Sequence, residues 1–279
     1  MPELPEVETI KRDLGPLVTG KRILEVRILP DPGGLRALRR YPSRQRFNRR
    51  LRGAVIRELK RRAKYLLFHL ITGDTLIIHL GMSGQLLYRK QTDGLDRFTR
   101  ILFRLDGGYE LRFIDPRKFG ETYLYSENSG DTEVELSVLG PEPLSRSFTA
   151  ASLRGILRER KRPIKSLLMD QRLISGIGNI YSDEILFAAG LHPLRPASTL
   201  RDREIRDLHE AIRSVLARAI RLRGTSVSDY RNGFGNSGGF QKRLMVYQRG
   251  GEKCRRCQGI IMSIKIQGRT SYFCPRCQS

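Results

Sequence analysis

The chain has 279 residues, long enough for more than one domain and a sizeable core, and 39% apolar content with 8% aromatics suits a folded globular protein. Its 52 Lys and Arg against 29 Asp and Glu leave a net charge of +23 and a pI near 10.6, which points to a polyanionic partner, nucleic acid first. There is no apolar run of about 18 or more residues, no signal peptide and no basic amphipathic anchor, so the reading excludes a membrane partner and predicts a cytoplasmic protein.

The chain opens MPELPEVETI, with two prolines and three glutamates in the first eight positions. Val7, Ile10 and Leu14 stand at helical spacing, and the plain reading is an acidic, proline-started amphipathic helix without chemistry. A second reading starts from Pro2. With Met1 removed, Pro2 carries a secondary amine that can attack the anomeric carbon of a sugar and displace a base. The iminium left behind is an electron sink that lets the neighbouring phosphates leave. Glu3 and Glu6 then serve proton transfer. The helix start disfavours the protonated amine and the two carboxylates favour it, so the net direction of its pKa stays open.

Short segments of strand type follow: 23–29, 54–60, 64–70, 75–80, 99–105, 109–114 and 121–125, punctuated by Gly, Asp, Asn and Pro. At such short intervals they predict an antiparallel sandwich or flattened barrel. Positions 35–64 hold 13 Lys and Arg with one acid, Glu58, and RERKR at 158–162 adds a second basic cluster. Such side chains give salt-dependent phosphate affinity without sequence information. Residues 126–143 carry five acids and no base, and read as a connector.

From about 148 the period becomes helical, first with Ala150, Leu153, Ile156 and Leu157, later with Ile205, Leu208, Ile212, Val215, Leu216 and Ala219. Ser198 or Thr199 is the expected cap of the long helix and Gly224 its end. Between the two, Gly176 and Gly178 precede a helix that opens at Asn179. The turn is either a phosphate site made of backbone N–H groups or simply a tight connection. The four cysteines stand as Cys254-x2-Cys257 and Cys274-x2-Cys277 with 16 residues between the pairs, a spacing that suits a four-sulfur zinc knuckle better than two disulfides or free thiols. None of His69, His79, His192 and His209 lies near them in sequence, and each reads as a packing or surface residue.

MPELPEVET, KYLL with Lys64, HLGMSG (79–84), DPRKFG (115–120), LGPEPL (139–144), GIGNIYSDEILFAAGLHP (176–193) and the C-terminal CxxC with YFCPRCQ run in this order from end to end. Together they resemble the formamidopyrimidine-DNA glycosylases, bacterial 8-oxoguanine repair enzymes. The resemblance implies an α+β multidomain fold: an N-terminal antiparallel β-sandwich with a leading helix (1–130), a connector (131–147), a helix-two-turn-helix domain (148–243) and a zinc-finger β-hairpin (244–279), with DNA in the cleft between domains. It implies a monomer, nucleoid-associated in the bacterial cytoplasm, that removes oxidised purines from damaged double-stranded DNA through a Schiff base and cuts the strand by β,δ-elimination. Its cofactor would be one structural Zn2+ held by Cys254, Cys257, Cys274 and Cys277, with no organic cofactor.

On this resemblance Pro2 is the nucleophile, Glu3 a proton donor and Glu6 a supporting acid, while Lys64 contacts the lesion phosphates and assists β-elimination. Met82, Arg117 and Phe119 fill the gap left by the extruded nucleotide, a role that fits the stacking and pairing lost on base flipping. Asn179 and Arg269 pinch the lesion phosphates, with Arg269 assigned to δ-elimination, and Arg160, Lys161 and Lys165 add DNA contacts. Three departures stand out. Phe98 occupies a position where many members have a DNA-contacting histidine, Lys118 replaces an arginine fork, and the glycine-rich stretch 226–239 suggests a mobile lid whose contacts the sequence does not define. An endonuclease VIII-like enzyme for oxidised pyrimidines is opposed by the MPELPEVET start and the complete Met82, Arg117 and Phe119 set. A zinc-ribbon binding protein without catalysis gives no reason for Glu3.

Overall fold

The computed structural model describes residues 1–30, 37–38, 43–126 and 134–279. Part of the basic run and the acidic stretch 127–133 of the expected connector lie outside the described residues. The chain divides into two compact units, Met1–Leu136 with Leu222–Gly239, and Ser137–Arg221 with Phe240–Ser279.

The first unit opens with α1 (Leu4–Val18), for which Glu3 is the N-cap. Pro5 sits in the first turn, where a missing N–H costs nothing. Val7, Ile10, Leu14 and Val18 recur on one face and are fully buried, against β2 among others. Each such side chain contributes about 1.5–3 kcal/mol relative to exposure. Then come β1 (Ile23–Ile28), α2 (Arg44–Leu51), β2 (Ile56–Arg62), β3 (Tyr65–Leu70), β4 (Asp74–His79), β5 (Gln85–Lys90), β6 (Thr99–Leu105), β7 (Tyr109–Ile114) and β8 (Glu121–Ser126). They form two four-stranded antiparallel sheets, β1-β6-β7-β5 and β2-β3-β4-β8, whose apolar residues join α1 in one core.

All seven expected strands are present, and two elements are additional. In α2 only Phe47 and Leu51 face inward, too few for a visible period, while Ser43 caps the helix by accepting the Arg46 N–H at 3.3 Å. β5 follows directly on the tight turn at Gly84, whose N–H donates to the Leu80 carbonyl at 2.9 Å.

The second unit contains α3 (Ala150–Leu157), α4 (Ile164–Leu168), α5 (Asn179–Ala189), α6 (Asp202–Arg221) and a hairpin of β9 (Met262–Ile266) and β10 (Arg269–Phe273). α6 starts later than expected. Ser198 and Thr199 belong to a short 3-10 turn, with the Thr199 hydroxyl donating to the Pro196 carbonyl, and Leu200 is extended, so neither residue caps the helix. Glu204, inside its first turn, accepts the Arg201 N–H at 2.7 Å instead. At the other end Arg223 and Gly224 are both left-handed and turn the chain away. The segment Leu222–Gly239, which the sequence places with the helices, packs on the first unit.

Candidate active site and nucleic-acid interface

Pro2, Glu3 and Glu6 are all buried at the start of α1. Glu6 spans two segments far apart in sequence: Oε2 accepts the Glu3 N–H and Oε1 the Thr225 N–H, both at 2.8 Å. Two turns further along α1, Asp13 accepts the Arg223 guanidinium at 2.6 and 2.8 Å and the Gly233 N–H at 3.2 Å. Two carboxylates of the leading helix therefore hold the 222–239 segment. Its glycines serve close approaches: a Cβ on Gly233 would meet Leu14 and Asp13, and one on Gly238 the Gly224 carbonyl. Tyr230 lies in the same core and burial drives its phenol pKa upward, with the Glu6 charge acting in the same direction.

Strand register brings the remaining expected residues of this unit to one end of the sheets. Lys64 occupies the β2–β3 turn after left-handed Ala63, and Tyr65 pairs with His79, which pairs with Glu121. Loop 80–84 therefore leaves β4, and loop 115–120 enters β8, beside Lys64. The two loops are fastened together by Asp115. Its Oδ1 accepts the Ser83 hydroxyl at 2.7 Å and the Arg117 N–H at 3.2 Å, and its Oδ2 the Gly120 N–H at 2.7 Å. Gly81, at φ 61, lies so close to Phe119 that a Cβ would sit 2.5 Å from its backbone. Met82 and Phe119 are left 40% and 51% exposed, a solvent-facing apolar pair, with the Arg117 guanidinium 5.4 Å from the Phe119 ring centroid. Lys64 is buried, and His79, whose ring lies tilted at 35° to that of Tyr65 with centroids 4.7 Å apart, has its pKa lowered to about 4 by burial and by the Lys64 charge. Phe98 is 40% exposed at φ 65, with the Arg97 guanidinium 4.5 Å over its ring. Its carbonyl accepts the Asp115 N–H, which ties it to the same loop pair.

In the second unit Gly176 takes φ 89, and Gln171 braces the turn by accepting the Gly176 N–H and donating to the Met169 and Ile177 carbonyls. Asn179 follows at the start of α5, its amide donating to the Thr270 carbonyl at 3.1 Å. Arg269 begins β10 and is exposed beside Met169. Arg160 is half-buried and Lys161 exposed, both accessible to a phosphate. Lys165 is not. Its ammonium has no accessible surface and lies 2.7 Å from Asp183 Oδ1, so the direct DNA contact expected at this position is replaced by an internal ion pair.

The four cysteine sulfurs lie within 4.8 Å of one another, with Cys254–Cys277 at 3.9 Å and Cys257–Cys274 at 3.5 Å. A tetrahedral zinc with bonds of about 2.3 Å separates its sulfurs by about 3.8 Å, so the cluster fits that ion. Phe187, Val246 and Ile261 pack around it.

Asp115, Gln171, Asp183 and Glu184 are site-building residues that sequence reasoning missed. Two adjacent acids inside the otherwise apolar run after Asn179 were the available signal for the last pair.

The chain matches the formamidopyrimidine-DNA glycosylase N-terminal domain over residues 1–122, the H2TH domain of the same glycosylase over 139–231, and the zinc finger found in FPG and IleRS over 251–279. It is 47% identical over 257 residues to the formamidopyrimidine-DNA glycosylase of Moorella thermoacetica, with 92% of each chain covered. With that of Geobacillus kaustophilus it shares 43% identity over 279 residues, the full length of both. Its fold superposes on MutM (FPG) from Thermus thermophilus with a TM-score of 0.86 at 41% identity, covering 99% of this chain and 98% of that one. For a complex of Lactococcus lactis FPG with a FAPY-dG containing DNA the TM-score is 0.89 at 34% identity, covering 99% and 100%. Fold, cysteine cluster and matches together define a DNA glycosylase of the zinc-finger, helix-two-turn-helix class. The chain belongs to the formamidopyrimidine-DNA glycosylase family, DNA-binding enzymes of base excision repair.

Proposed function

We propose that the chain is a bifunctional glycosylase and AP lyase that removes oxidised purines, 8-oxoguanine and formamidopyrimidines, from double-stranded DNA. The observation that carries the reading is the burial of Pro2 and Glu3 together at the head of α1, with Glu6 fixing the first turn from inside. After removal of Met1, the Pro2 nitrogen attacks C1′, the glycosidic bond breaks, and Glu3 supplies the proton that the departing base or opening sugar takes up. The resulting iminium acidifies C2′. Loss of that proton expels the 3′ phosphate, and a further elimination expels the 5′ phosphate.

Met82, Arg117 and Phe119 fill the space of the flipped nucleotide, a role supported by two exposed apolar side chains with a guanidinium on loops that Asp115 fixes. Lys64, Asn179, Arg269, Arg160 and Lys161 contact phosphates, Arg269 also assists δ-elimination, and Lys165 acts indirectly through Asp183. One structural Zn2+ per chain is held by the four cysteines, where it stabilises the hairpin fold; no organic cofactor is required. The protein works as a monomer in the bacterial cytoplasm on nucleoid DNA. Among the described residues no helix is long and apolar enough to cross a membrane.

The test is incubation with a duplex containing 8-oxoguanine opposite cytosine, with and without borohydride. A one-nucleotide gap with phosphates on both sides, and a reduced covalent adduct at Pro2, are expected. Tight binding with an intact strand would overturn the enzymatic reading, and preference for oxidised pyrimidines would move the chain to the endonuclease VIII-like type.

A further inference from the structure

Asp183 and Glu184 are neighbouring buried carboxylates on α5, and each holds a different part of the C-terminal module. Glu184 accepts the N–H groups of Met245, Val246 and Tyr247 at 2.9–3.0 Å, at the entry to the cysteine module. Asp183 Oδ1 accepts the Ser271 hydroxyl at 2.7 Å and Oδ2 the Tyr272 N–H at 3.0 Å. One turn earlier the Asn179 amide donates to the Thr270 carbonyl. Asn179 and Asp183 are four apart and so share a helix face. Two turns of α5 therefore hold three consecutive residues of β10, the strand that begins with Arg269.

The geometry makes Arg269 depend on this grip. Arg269 and Ser271 are two apart and share a face of β10, so the Ser271 bond fixes the side to which Arg269 points. The hairpin is a two-stranded ribbon closed by Gln267 and Gly268, both at positive φ. A ribbon of two strands holds no orientation of its own. The cysteine cluster flanks only the open end of the ribbon, with Cys257 before β9 and Cys274 after β10, whereas Arg269 stands beside the turn at the other end.

We propose that Asp183 is a positioning residue for Arg269 and Asn179, setting the register of the finger hairpin against α5, with Lys165 as its buried counter-ion. The role assigned to Arg269 rests on the function proposed above; the register does not. A charged pair is a poor choice for stability alone, because a buried ion pair replaced by apolar side chains of similar volume is often neutral or stabilising. Breaking one partner, by contrast, leaves an uncompensated buried charge. That contrast separates positioning from bulk stability.

The experiment uses the full-length, zinc-loaded protein as wild type, Asp183→Asn, Ser271→Ala and the double variant Lys165→Met/Asp183→Leu. Melting temperature, zinc content, affinity for a duplex carrying a tetrahydrofuran abasic analogue, and the product ends from a preformed abasic duplex are measured. One zinc per chain is expected throughout. The δ-to-β product ratio should fall about tenfold in both Asp183 variants, since small misplacement of a reacting group costs up to ~10²-fold. Ser271→Ala should move it less, in the same direction. The double variant should regain the wild-type melting temperature while its product ratio and affinity stay low. Recovery of stability and product ratio together, or wild-type ends and affinity in Asp183→Asn and Ser271→Ala, would overturn the proposal. Ser271→Ala decides the question where the charged-pair variants do not fold. If the wild type cuts no strand, the proposed function fails; affinity for the abasic analogue still tests the register.

Discussion

The Ser83 hydroxyl donates to Asp115 Oδ1 across 2.7 Å, and that bond joins the loop carrying Met82 to the loop carrying Arg117 and Phe119. Both partners are buried, at 1% exposure each, and the acceptor is a carboxylate, so the bond is stronger than a neutral one. Ser83→Ala should cost about 1.5–3 kcal/mol of stability, the range for hydrogen bonds to charged groups, read from urea unfolding. Because loops 80–84 and 115–120 lose their common anchor, affinity for a lesion duplex should fall while affinity for undamaged duplex stays unchanged, if these loops fill the gap as proposed.

His79 gives the first unit an acid sensitivity. Burial first and the Lys64 charge second depress its pKa from 6.5 to about 4, with Glu121 opposing. The folded protein therefore holds neutral His79, and the unfolded chain binds the extra proton between those values. Stability is fully present above pH 6.5 and is lost as pH falls toward 4, by at most about 3 kcal/mol. Lys64→Ala removes the repulsion, so the His79 ring titration, followed by NMR, should move upward and the acid slope of the unfolding free energy should flatten. An unmoved titration would mean that Lys64 and His79 do not sense each other.

Gly224 sits at φ 83 against Glu6 Oε1 and the Tyr230 ring, each 2.9 Å from where a Cβ would be. Gly224→Ala thus meets a strained backbone and displaces the carboxylate that holds the Thr225 N–H. A loss of about 2 kcal/mol or more is expected from left-handed strain combined with a broken buried hydrogen bond. Thermal unfolding measures it, and Gly155→Ala, whose Cβ meets nothing and lies within a helix, is the neutral-to-stabilising comparison.

How much of this was legible in the sequence depended on whether a residue's partner lay nearby. The cysteine cluster was readable because its ligands come as two local pairs, and α1 was readable because its buried face repeats every turn. Loops 80–84 and 115–120 stand out as the motifs HLGMSG and DPRKFG, yet the anchoring role of Asp115 requires the register that brings β4, β5, β7 and β8 together. Lys165 misled for a related reason. The family resemblance places Lys165 among DNA-contacting bases, and only the fold shows that Asp183, 18 positions later, takes its charge inside. The glycine content of 226–239 suggests a mobile lid, and what the sequence does not disclose is that Gly233 and Gly238 permit close approach to Asp13, Leu14 and the Gly224 backbone.

Removing the metal should act through the second unit alone. The fold brings the four cysteine sulfurs within 4.8 Å of one another, and thiolates so close repel unless a cation balances their charge. Cys254→Ser should release zinc, measured by a chromogenic chelator, and weaken DNA binding by disordering the hairpin that bears Arg269. Melting of the first unit should be unaffected. Wild-type DNA affinity in the zinc-free variant would show that the finger is dispensable.

Glu3→Gln isolates the chemistry from the fold. Glu3 is 2% exposed and caps α1, and a glutamine has nearly the same volume and keeps an oxygen to accept from the helix. The substitution should therefore shift the melting temperature little and preserve DNA affinity. It removes the transferable carboxyl proton, whose loss costs about 10²–10⁴-fold where general acid catalysis operates. Excision of 8-oxoguanine in single-turnover conditions should fall by that order. Strand cutting at a preformed abasic site, where no base has to leave, should fall less. Equal losses on the two substrates would assign Glu3 to the later eliminations, and full excision by the variant would place the proton donor elsewhere.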